Sequence, residues 1–146
     1  MIPGFQKNGN LPKGVHKASL QLIEEVFGIG TARRKWLFGN LAKVVELASS
    51  TGELRRVIIW GSFVSQKESP QDLDLLLVMS KGFSVDEVSE EASRLFDYAR
   101  ARILFNADVF WANESIGEET INLWLETYQM TREFEPRGIV EVVTDD

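Results

Sequence analysis

Two aspartates interrupt an apolar segment, and this arrangement narrows the possible folds more than any other part of the sequence. Residues 72–79 read DLDLLLVM. Aspartate is among the residues least favoured in a β-strand, and an ionised carboxylate near an apolar core is costly. Because side chains alternate along a strand, Asp72 and Asp74 share one face, and the leucines at the odd-numbered positions share the other. The segment therefore predicts a strand with one acidic face and one core face.

Apolar periodicity predicts the elements on either side of this strand. Stripes at intervals of three and four residues indicate helices, and short β-branched or aromatic runs indicate strands. The predicted elements are helices capped by Ser19 and Thr31, strands at 57–60 and 72–79, a helix opened by a capping box at Ser84 and Glu87, a strand from Ala107, a helix near 119–132 and a strand at 139–143. The order α-α-β-β-α-β-α-β predicts an α+β fold, in which helices pack on a mixed β-sheet.

Length and composition indicate a single domain over residues 1–146. The chain is 44% hydrophobic, which is enough to form one core. Proline and glycine are frequent at the start, so residues 1–18 are predicted to form an irregular N-terminal arm. The first residues lack the apolar stretch of a signal peptide, and no apolar run approaches the ~20 residues of a membrane span. We therefore expect a cytoplasmic protein that does not bind membranes.

Composition also excludes several classes of site. The chain has no cysteine, which excludes thiol nucleophiles and zinc–thiolate sites, and its single histidine, His16, excludes the histidine pair of zinc proteases. The formal net charge of −6 disfavours general binding to nucleic acids. Two small basic clusters, at 33–35 and 55–56, are interpreted as the solvated ends of a helix and a strand, with a local nucleic-acid footprint as the alternative.

A third aspartate repeats the pattern of the first two. Asp108 lies 34 positions after Asp74, again inside an apolar run. If its strand pairs beside the 72–79 strand, three carboxylates converge and repel one another, and divalent cations would relieve that repulsion. Carboxylate oxygens favour Mg²⁺ or Mn²⁺, and two such ions roughly 3.5–4 Å apart form a clamp for displacement at phosphorus. For Asp74 alone, an edge strand with one solvated face is the alternative explanation.

Gly61 and Ser62 end the preceding strand, and Ser62 lies ten positions before Asp72. A glycine there lets the backbone approach a phosphate closely, and Ser62 offers a hydroxyl and an N–H as donors. A glycine–serine pair alone is an ordinary turn. Its spacing from the two aspartates makes it a candidate phosphate-binding turn.

These motifs resemble those of the nucleotidyltransferase superfamily, which includes DNA polymerase beta, kanamycin nucleotidyltransferase and the minimal nucleotidyltransferases of bacteria and archaea. The family pattern is a strand, a Gly-Ser pair, about ten residues, a hydrophobic-flanked Asp-x-Asp and a carboxylate on a later strand. Here these elements are Gly61 and Ser62, then Asp72 and Asp74, then Asp108. The resemblance covers residues 57–111 and implies the nucleotidyltransferase fold. The full chain also looks like small bacterial proteins of this superfamily.

The resemblance implies ATP or another nucleoside triphosphate as substrate, bound with two Mg²⁺ or Mn²⁺ ions. It implies that Ser62 and backbone amides near Gly61 hold the distal phosphates. Asp72 and Asp74 would bind the ions, and Asp108 would hold the ion near the attacking hydroxyl and assist its deprotonation. The hydroxyl attacks the α-phosphorus, and pyrophosphate leaves.

One position departs from the pattern of the minimal family members. Many of them carry an arginine three residues after the serine, where this chain has Ser65. Ser65 and Lys67 therefore complete the predicted nucleotide-binding set. Lys67 either supplies the missing positive charge to the triphosphate or is an ordinary solvated lysine.

The leading hypothesis is a metal-dependent nucleotidyltransferase that moves a nucleoside monophosphate, most simply AMP, to a hydroxyl of a protein, an RNA end or a small molecule. Minimal members often act with a small helical partner protein in a toxin–antitoxin or defence module, as toxin or as antitoxin. The competing hypothesis is a catalytically silent binding module of the same fold, serving as an antitoxin or a regulatory subunit.

Overall fold

A five-stranded sheet forms the centre of the protein. The structure is a computed structural model, and it describes residues 1–143. The strands are β1 (Gly14–Ser19), β2 (Leu54–Trp60), β3 (Leu73–Met79), β4 (Ala107–Asn113) and β5 (Gly138–Val143). Their order in the sheet is β1-β5-β2-β3-β4. Strands β1 and β5 are parallel, as are β3 and β4, whereas β2 runs antiparallel to both of its neighbours. The predicted α+β class with a mixed sheet is therefore confirmed.

Residues 1–143 contain five α-helices: α1 (Leu20–Phe27), α2 (Ala32–Ser50), α3 (Glu90–Ser93), α4 (Tyr98–Phe105) and α5 (Glu118–Tyr128). The predicted caps of the first two are confirmed. The Ser19 side chain accepts a hydrogen bond from the Leu22 amide, and the Thr31 side chain accepts one from the Arg34 amide. Each cap satisfies an amide that the first helical turn leaves without a partner. Within residues 1–143, none of the helices combines the length and the apolar character that crossing a membrane would require.

Strand β3 is covered on both faces. Its residues Leu73, Leu75 and Leu77 are fully buried in the larger core, against the apolar stripe of α2. Burial of each such side chain contributes about 1.5–3 kcal/mol to folding. On the opposite face, Leu76 and Val78 pack in a second core beneath α5. The face that carries Asp74 is therefore acidic only at the N-terminal end of the strand.

The prediction of an irregular arm over residues 1–18 is wrong at its end, because Gly14–Ser19 form strand β1. The segment has few apolar residues, and only Ala18 is buried. Its extended conformation comes from pairing with β5, in a register that begins at Gly14 and Gly138. A tertiary partner decides this strand, so local apolar periodicity did not reveal it.

The predicted single helix after Ser84 is also wrong. The segment contains a 3-10 turn, α3, a second 3-10 turn and α4, and Ser84 makes no side-chain cap. Two other residues act as caps: the Ser89 hydroxyl accepts from the Ala92 amide, and the Asp97 carboxylate accepts from the Arg100 amide. Serine and aspartate compete with helix continuation by bonding local amides, which divides the apolar stripe into short helices.

Candidate functional site

The parallel pairing of β3 with β4 places two of the predicted aspartates side by side. Asp74 lies directly opposite Asp108 in the register of these strands. Asp72 lies immediately before β3. The predicted adjacency of the two acidic strands is thus present, and all three carboxylates lie at the same end of the sheet.

Two side chains of α4 contact these carboxylates. Arg102 Nη1 donates to Asp72 Oδ2 at 2.9 Å and to Asp108 Oδ1 at 3.2 Å. The Tyr98 hydroxyl donates to Asp108 Oδ1 at 2.8 Å. The sequence favoured a solvated helix position for Arg102, with phosphate binding as the alternative, and did not indicate Tyr98. Tyr98 and Arg102 lie four residues apart, on the same face of α4, and one residue separates this helix from β4. This spacing near the start of β4 was the signal in the sequence that could have identified both residues.

The surroundings of Asp74 disfavour the ionised form of its carboxyl group. Burial, followed by the charges of Asp72 and Asp108, raises the pKa of Asp74 to about 7, and Arg137 acts in the opposite direction. Burial and like charges both disfavour the ionised form of an acid. The carboxylates therefore repel one another despite the nearby arginines, and an additional cation would be bound favourably here.

Gly61 is packed against one of these carboxylates. Its backbone has φ 87° and ψ −161°, a region that is essentially restricted to glycine. A Cβ atom at this position would lie 2.5 Å from Asp74 Oδ2. The glycine is therefore required both by the turn that ends β2 and by the approach of the Asp74 carboxylate.

We expect Gly61→Ala to destabilise the fold more than the matched control Gly117→Ala. Gly117 has φ 95° and ψ 148°, but a Cβ there meets no atom within 4 Å. Backbone strain alone should cost about 1–3 kcal/mol at either position, and the clash with Asp74 adds to it only at Gly61. Chemical denaturation measures both values. Asp74→Ala should remove the difference, and equal losses in the presence of Asp74 would contradict the close packing.

A buried arginine holds the loop that follows Gly61. Arg34 is 6% exposed, and its guanidinium donates to the carbonyl oxygens of Phe27, Phe63, Ser65 and Lys67 at distances of 2.6–3.2 Å. The interpretation of its basic cluster as solvated is wrong at this residue. The cluster at 33–35 lies at the start of α2. Arg34 is buried because the loop after Gly61 packs over it, and a local sequence pattern does not reveal that packing.

The side chain of Ser65 also lies within this loop. Its hydroxyl donates to the Ser62 carbonyl at 2.7 Å and accepts from the Lys67 amide at 3.1 Å. The hydroxyl thereby stabilises the turn that carries Ser62. Lys67 has an exposed side chain.

A cleft of about 880 Å³ brings most of the predicted site residues together. Gly61, Ser62, Lys67, Asp72 and Asp74 line one side of it. The turn after α5 lines the other side. A second cleft, of about 440 Å³, adjoins the same glycine–serine turn and also contacts Ser65. Asp108 lines neither cleft and is connected to the site through its neighbouring strand and Arg102.

Arg137 lines both clefts, and sequence analysis did not select it. Its Nε donates to the Tyr128 carbonyl at 2.8 Å. Burial lowers the pKa of Arg137, and the charge of Asp74 raises it. Arg137 immediately precedes β5, and the antiparallel register of Ile59 with Val140 places the start of β5 beside the end of β2. The sheet topology therefore brings this arginine to the glycine–serine turn.

The donor atoms at this site fit Mg²⁺ or Mn²⁺ because all three acidic groups are carboxylates, which are hard oxygen ligands. The raised pKa of Asp74 indicates the same need for positive charge. As the side chains are placed, however, no group of three or more His, Cys, Asp or Glu residues within 1–143 is arranged to hold a metal ion. Arg102 instead bridges Asp72 and Asp108. Metal binding at all three carboxylates therefore requires Arg102 to move.

Comparison with known proteins gives one match. No curated protein and no solved structure matches the chain significantly. Residues 3–143 match a protein family described as "Family of unknown function (DUF6932)". The match extends over strands β1 to β5 and includes every residue of the clefts described above. The chain therefore belongs to the family of unknown function DUF6932.

Proposed function

We propose that this protein has a nucleotidyltransferase fold and is a metal-dependent nucleotidyltransferase, which moves AMP from ATP, or the corresponding group of another nucleoside triphosphate, to an acceptor hydroxyl. The observation that carries the proposal is the alignment of Asp74 with Asp108 beside Asp72, with Gly61 packed on the Asp74 carboxylate. Converging carboxylates can hold the metal ions used in phosphoryl transfer, and an adjacent glycine–serine turn offers donors to phosphate oxygens.

Within this proposal the larger cleft binds the nucleoside triphosphate. Its volume of about 880 Å³ is typical of small-molecule sites, which have volumes of about 300–1,000 Å³. Ser62 and the backbone amides of its turn hold phosphate oxygens, and Lys67 and Arg137 supply positive charge. Arg137 would replace the arginine that many minimal family members carry at the position of Ser65.

The carboxylates have distinct roles in the reaction. Asp72 and Asp74 would hold the metal ions, and Asp108 would hold the ion nearest to the acceptor hydroxyl. Bound Mg²⁺ or Mn²⁺ would supply charge neutralisation for the triphosphate and the leaving group. The acceptor oxygen forms a bond to the α-phosphorus while the bond between that phosphorus and pyrophosphate breaks, and pyrophosphate leaves with the electron pair. Asp108 takes the proton of the acceptor hydroxyl.

One observation supports a second candidate function, a catalytically silent binding module. Arg102 pairs with both Asp72 and Asp108 and neutralises part of the acidic cluster without a metal ion. In that case the fold would serve as an antitoxin or a regulatory subunit in the cytoplasm, beside a small helical partner protein. The nucleotidyltransferase proposal allows the same partner, with a protein, RNA or small-molecule acceptor.

Titration calorimetry with Mg²⁺-ATP tests the nucleotide site. We expect binding to the wild-type chain, and Arg137→Ala should weaken it about tenfold, which corresponds to about 1.4 kcal/mol. Arg55→Ala is the matched control, because Arg55 pairs with Glu114 and lines neither cleft. Absence of binding by Mg²⁺-ATP and by the Mg²⁺ complexes of GTP, CTP and UTP would reject the enzyme. Binding without transfer of label from α-labelled ATP, with and without the co-expressed partner, would favour the silent module.

A further inference from the structure

A second, apolar groove lies beside the carboxylates, between edge strand β4 and helices α4 and α5. Its volume is about 550 Å³, and none of the residues that line it within the described part of the chain is charged. Six of its eight lining residues are aromatic: Phe96, Tyr98, Phe110, Trp111, Trp124 and Tyr128. A groove of this size and composition is typical of a site for a small apolar molecule.

The rings of the groove are already arranged for stacking. Tyr128 stacks on Trp60 with ring centroids 3.6 Å apart and an interplanar angle of 4°. Phe110 lies 6.1 Å from the Trp60 ring and 5.6 Å from the Tyr98 ring. Yet Phe110 is 43% exposed and Tyr98 is 51% exposed. The groove thus leaves aromatic surface uncovered that a further planar ring could contact.

The groove adjoins both the carboxylates and the larger cleft. Tyr98, which lines the groove, donates its hydroxyl hydrogen to Asp108. Thr127 and Tyr128 line the groove on one side and the larger cleft on the other. The acidic cluster therefore lies between two cavities: a polar one lined by Asp72 and Asp74, and an apolar one lined by Tyr98, which contacts Asp108. Two cavities beside one acidic cluster suit the donor and the acceptor of a transferase.

We propose that the aromatic groove binds the acceptor, and that the acceptor is a small molecule with an uncharged aromatic ring and a hydroxyl group. This inference rests on the proposed nucleotidyltransferase activity. The ring stacks against Phe110, and its hydroxyl takes the place of the Tyr98 hydroxyl at Asp108. An RNA end is disfavoured, because the groove has no cation for the phosphates and the neighbouring Asp108 repels them.

In the transfer step, the ring hydroxyl is the nucleophile. Its oxygen bonds to the α-phosphorus of ATP, its proton passes to Asp108, and pyrophosphate departs with the electrons of the broken bond. The products are the AMP ester of the ring hydroxyl and pyrophosphate. ATP is the only co-reactant that the step needs.

Ligand-observed NMR on the full chain, without ATP or metal, tests the groove with p-cresol as probe. We expect p-cresol to bind, and Phe110→Ala to weaken its binding at least tenfold. Phe110→Leu, which keeps an apolar side chain and removes the ring, should also weaken it. Trp36→Ala is the control, because Trp36 is an exposed aromatic on α2 outside the groove, and it should leave p-cresol binding unchanged.

Two further probes decide the chemical class of the acceptor. Cyclohexanemethanol has a similar size but no aromatic ring, and equal binding of this probe would overturn the aromatic preference. A short oligoadenylate that displaces p-cresol would overturn the small-molecule assignment in favour of RNA. The proposal is supported if cyclohexanemethanol and the oligoadenylate both bind more weakly than p-cresol.

The outcomes separate this inference from the proposed function. Mg²⁺-ATP binding without p-cresol binding would overturn the acceptor site and leave the nucleotidyltransferase proposal in place. Binding of p-cresol without binding of Mg²⁺-ATP or of the Mg²⁺ complexes of GTP, CTP and UTP would overturn the acceptor role together with the enzyme. Two adjoining sites are supported if both ligands bind, if Phe110→Ala leaves Mg²⁺-ATP binding unchanged, and if Arg137→Ala leaves p-cresol binding unchanged.

Discussion

Asp74→Asn is expected to stop AMP transfer and, at pH 8, to make the fold more stable. The loss of transfer should be about 1,000-fold or more, because the ionised carboxylate contributes several kcal/mol through the charge it provides for metal binding. The gain in stability follows from removal of a buried negative charge beside two others. Transfer of label from α-labelled ATP measures the loss of activity, and chemical denaturation measures the gain in stability.

The stability gain should depend on pH with a defined sign. The pKa of Asp74 is about 7 in the fold, against 3.8 for the unperturbed group, so between these values the folded state binds more protons. The free energy of unfolding of the wild-type chain should therefore fall as the pH rises from about 4 to about 7, by up to about 4 kcal/mol. Asp74→Asn should show a smaller fall across this window.

Asp86→Asn provides the matched control for both effects. Asp86 is exposed and lies in the 3-10 turn after Ser84, away from the acidic cluster. This variant should retain transfer and the wild-type pH dependence of unfolding. If the free energy of unfolding depends on pH equally in Asp74→Asn and in the wild-type chain, ionisation of Asp74 does not destabilise the fold. Retained transfer in Asp74→Asn would reject its role as a metal ligand.

Arg34→Met should be the most destabilising substitution near the site, at about 4 kcal/mol. Methionine keeps the apolar stem but leaves the carbonyls of Phe27, Phe63 and Ser65 without their donor. Each buried acceptor that loses its partner costs about 1–3 kcal/mol. Lys35→Met is the control, because the exposed neighbour should change stability by less than about 0.5 kcal/mol.

The loop itself provides a second measurement for Arg34. Arg34→Lys keeps the charge but replaces the planar guanidinium group by a compact ammonium group with fewer donors. Its stability should therefore lie between those of the wild-type chain and Arg34→Met. Hydrogen exchange at the amides of Ser65 and Lys67 should accelerate in both variants, since these amides lie in the loop that Arg34 holds. Unchanged exchange there would show that the arginine stabilises the core and not the loop.

Local patterns in the sequence were sufficient wherever a residue's neighbours along the chain decide its state. The alternation in residues 72–79 predicted strand β3 and the burial of Leu73, Leu75 and Leu77. Ser19 and Thr31 were recognisable as caps because a cap bonds an amide three residues away. The convergence of Asp74 and Asp108 was predicted only on the condition that their strands pair, and the fold supplied both the pairing and its register.

Patterns failed where a distant segment decides the outcome. Strand β1 depends on β5, which is more than one hundred residues further along the chain. One failure was local: the caps at Ser89 and Asp97 divided a helix that the apolar stripe alone predicted as continuous. Arg34 resembles any other member of a basic cluster until the loop after Gly61 packs over it.

The amino-acid sequence was enough to predict the α+β class and the acidic end of β3, because side-chain alternation and apolar spacing are local consequences of backbone geometry. The position of Asp74 opposite Asp108 depended on the pairing of β3 with β4, which the sequence left as a condition. The folded chain alone shows that Arg102 bridges two of those aspartates, that Arg137 reaches the glycine–serine turn, and that an aromatic groove adjoins the same cluster. These features depend on contacts between segments distant in the chain, and the free energy of such contacts depends on the packing of the whole domain.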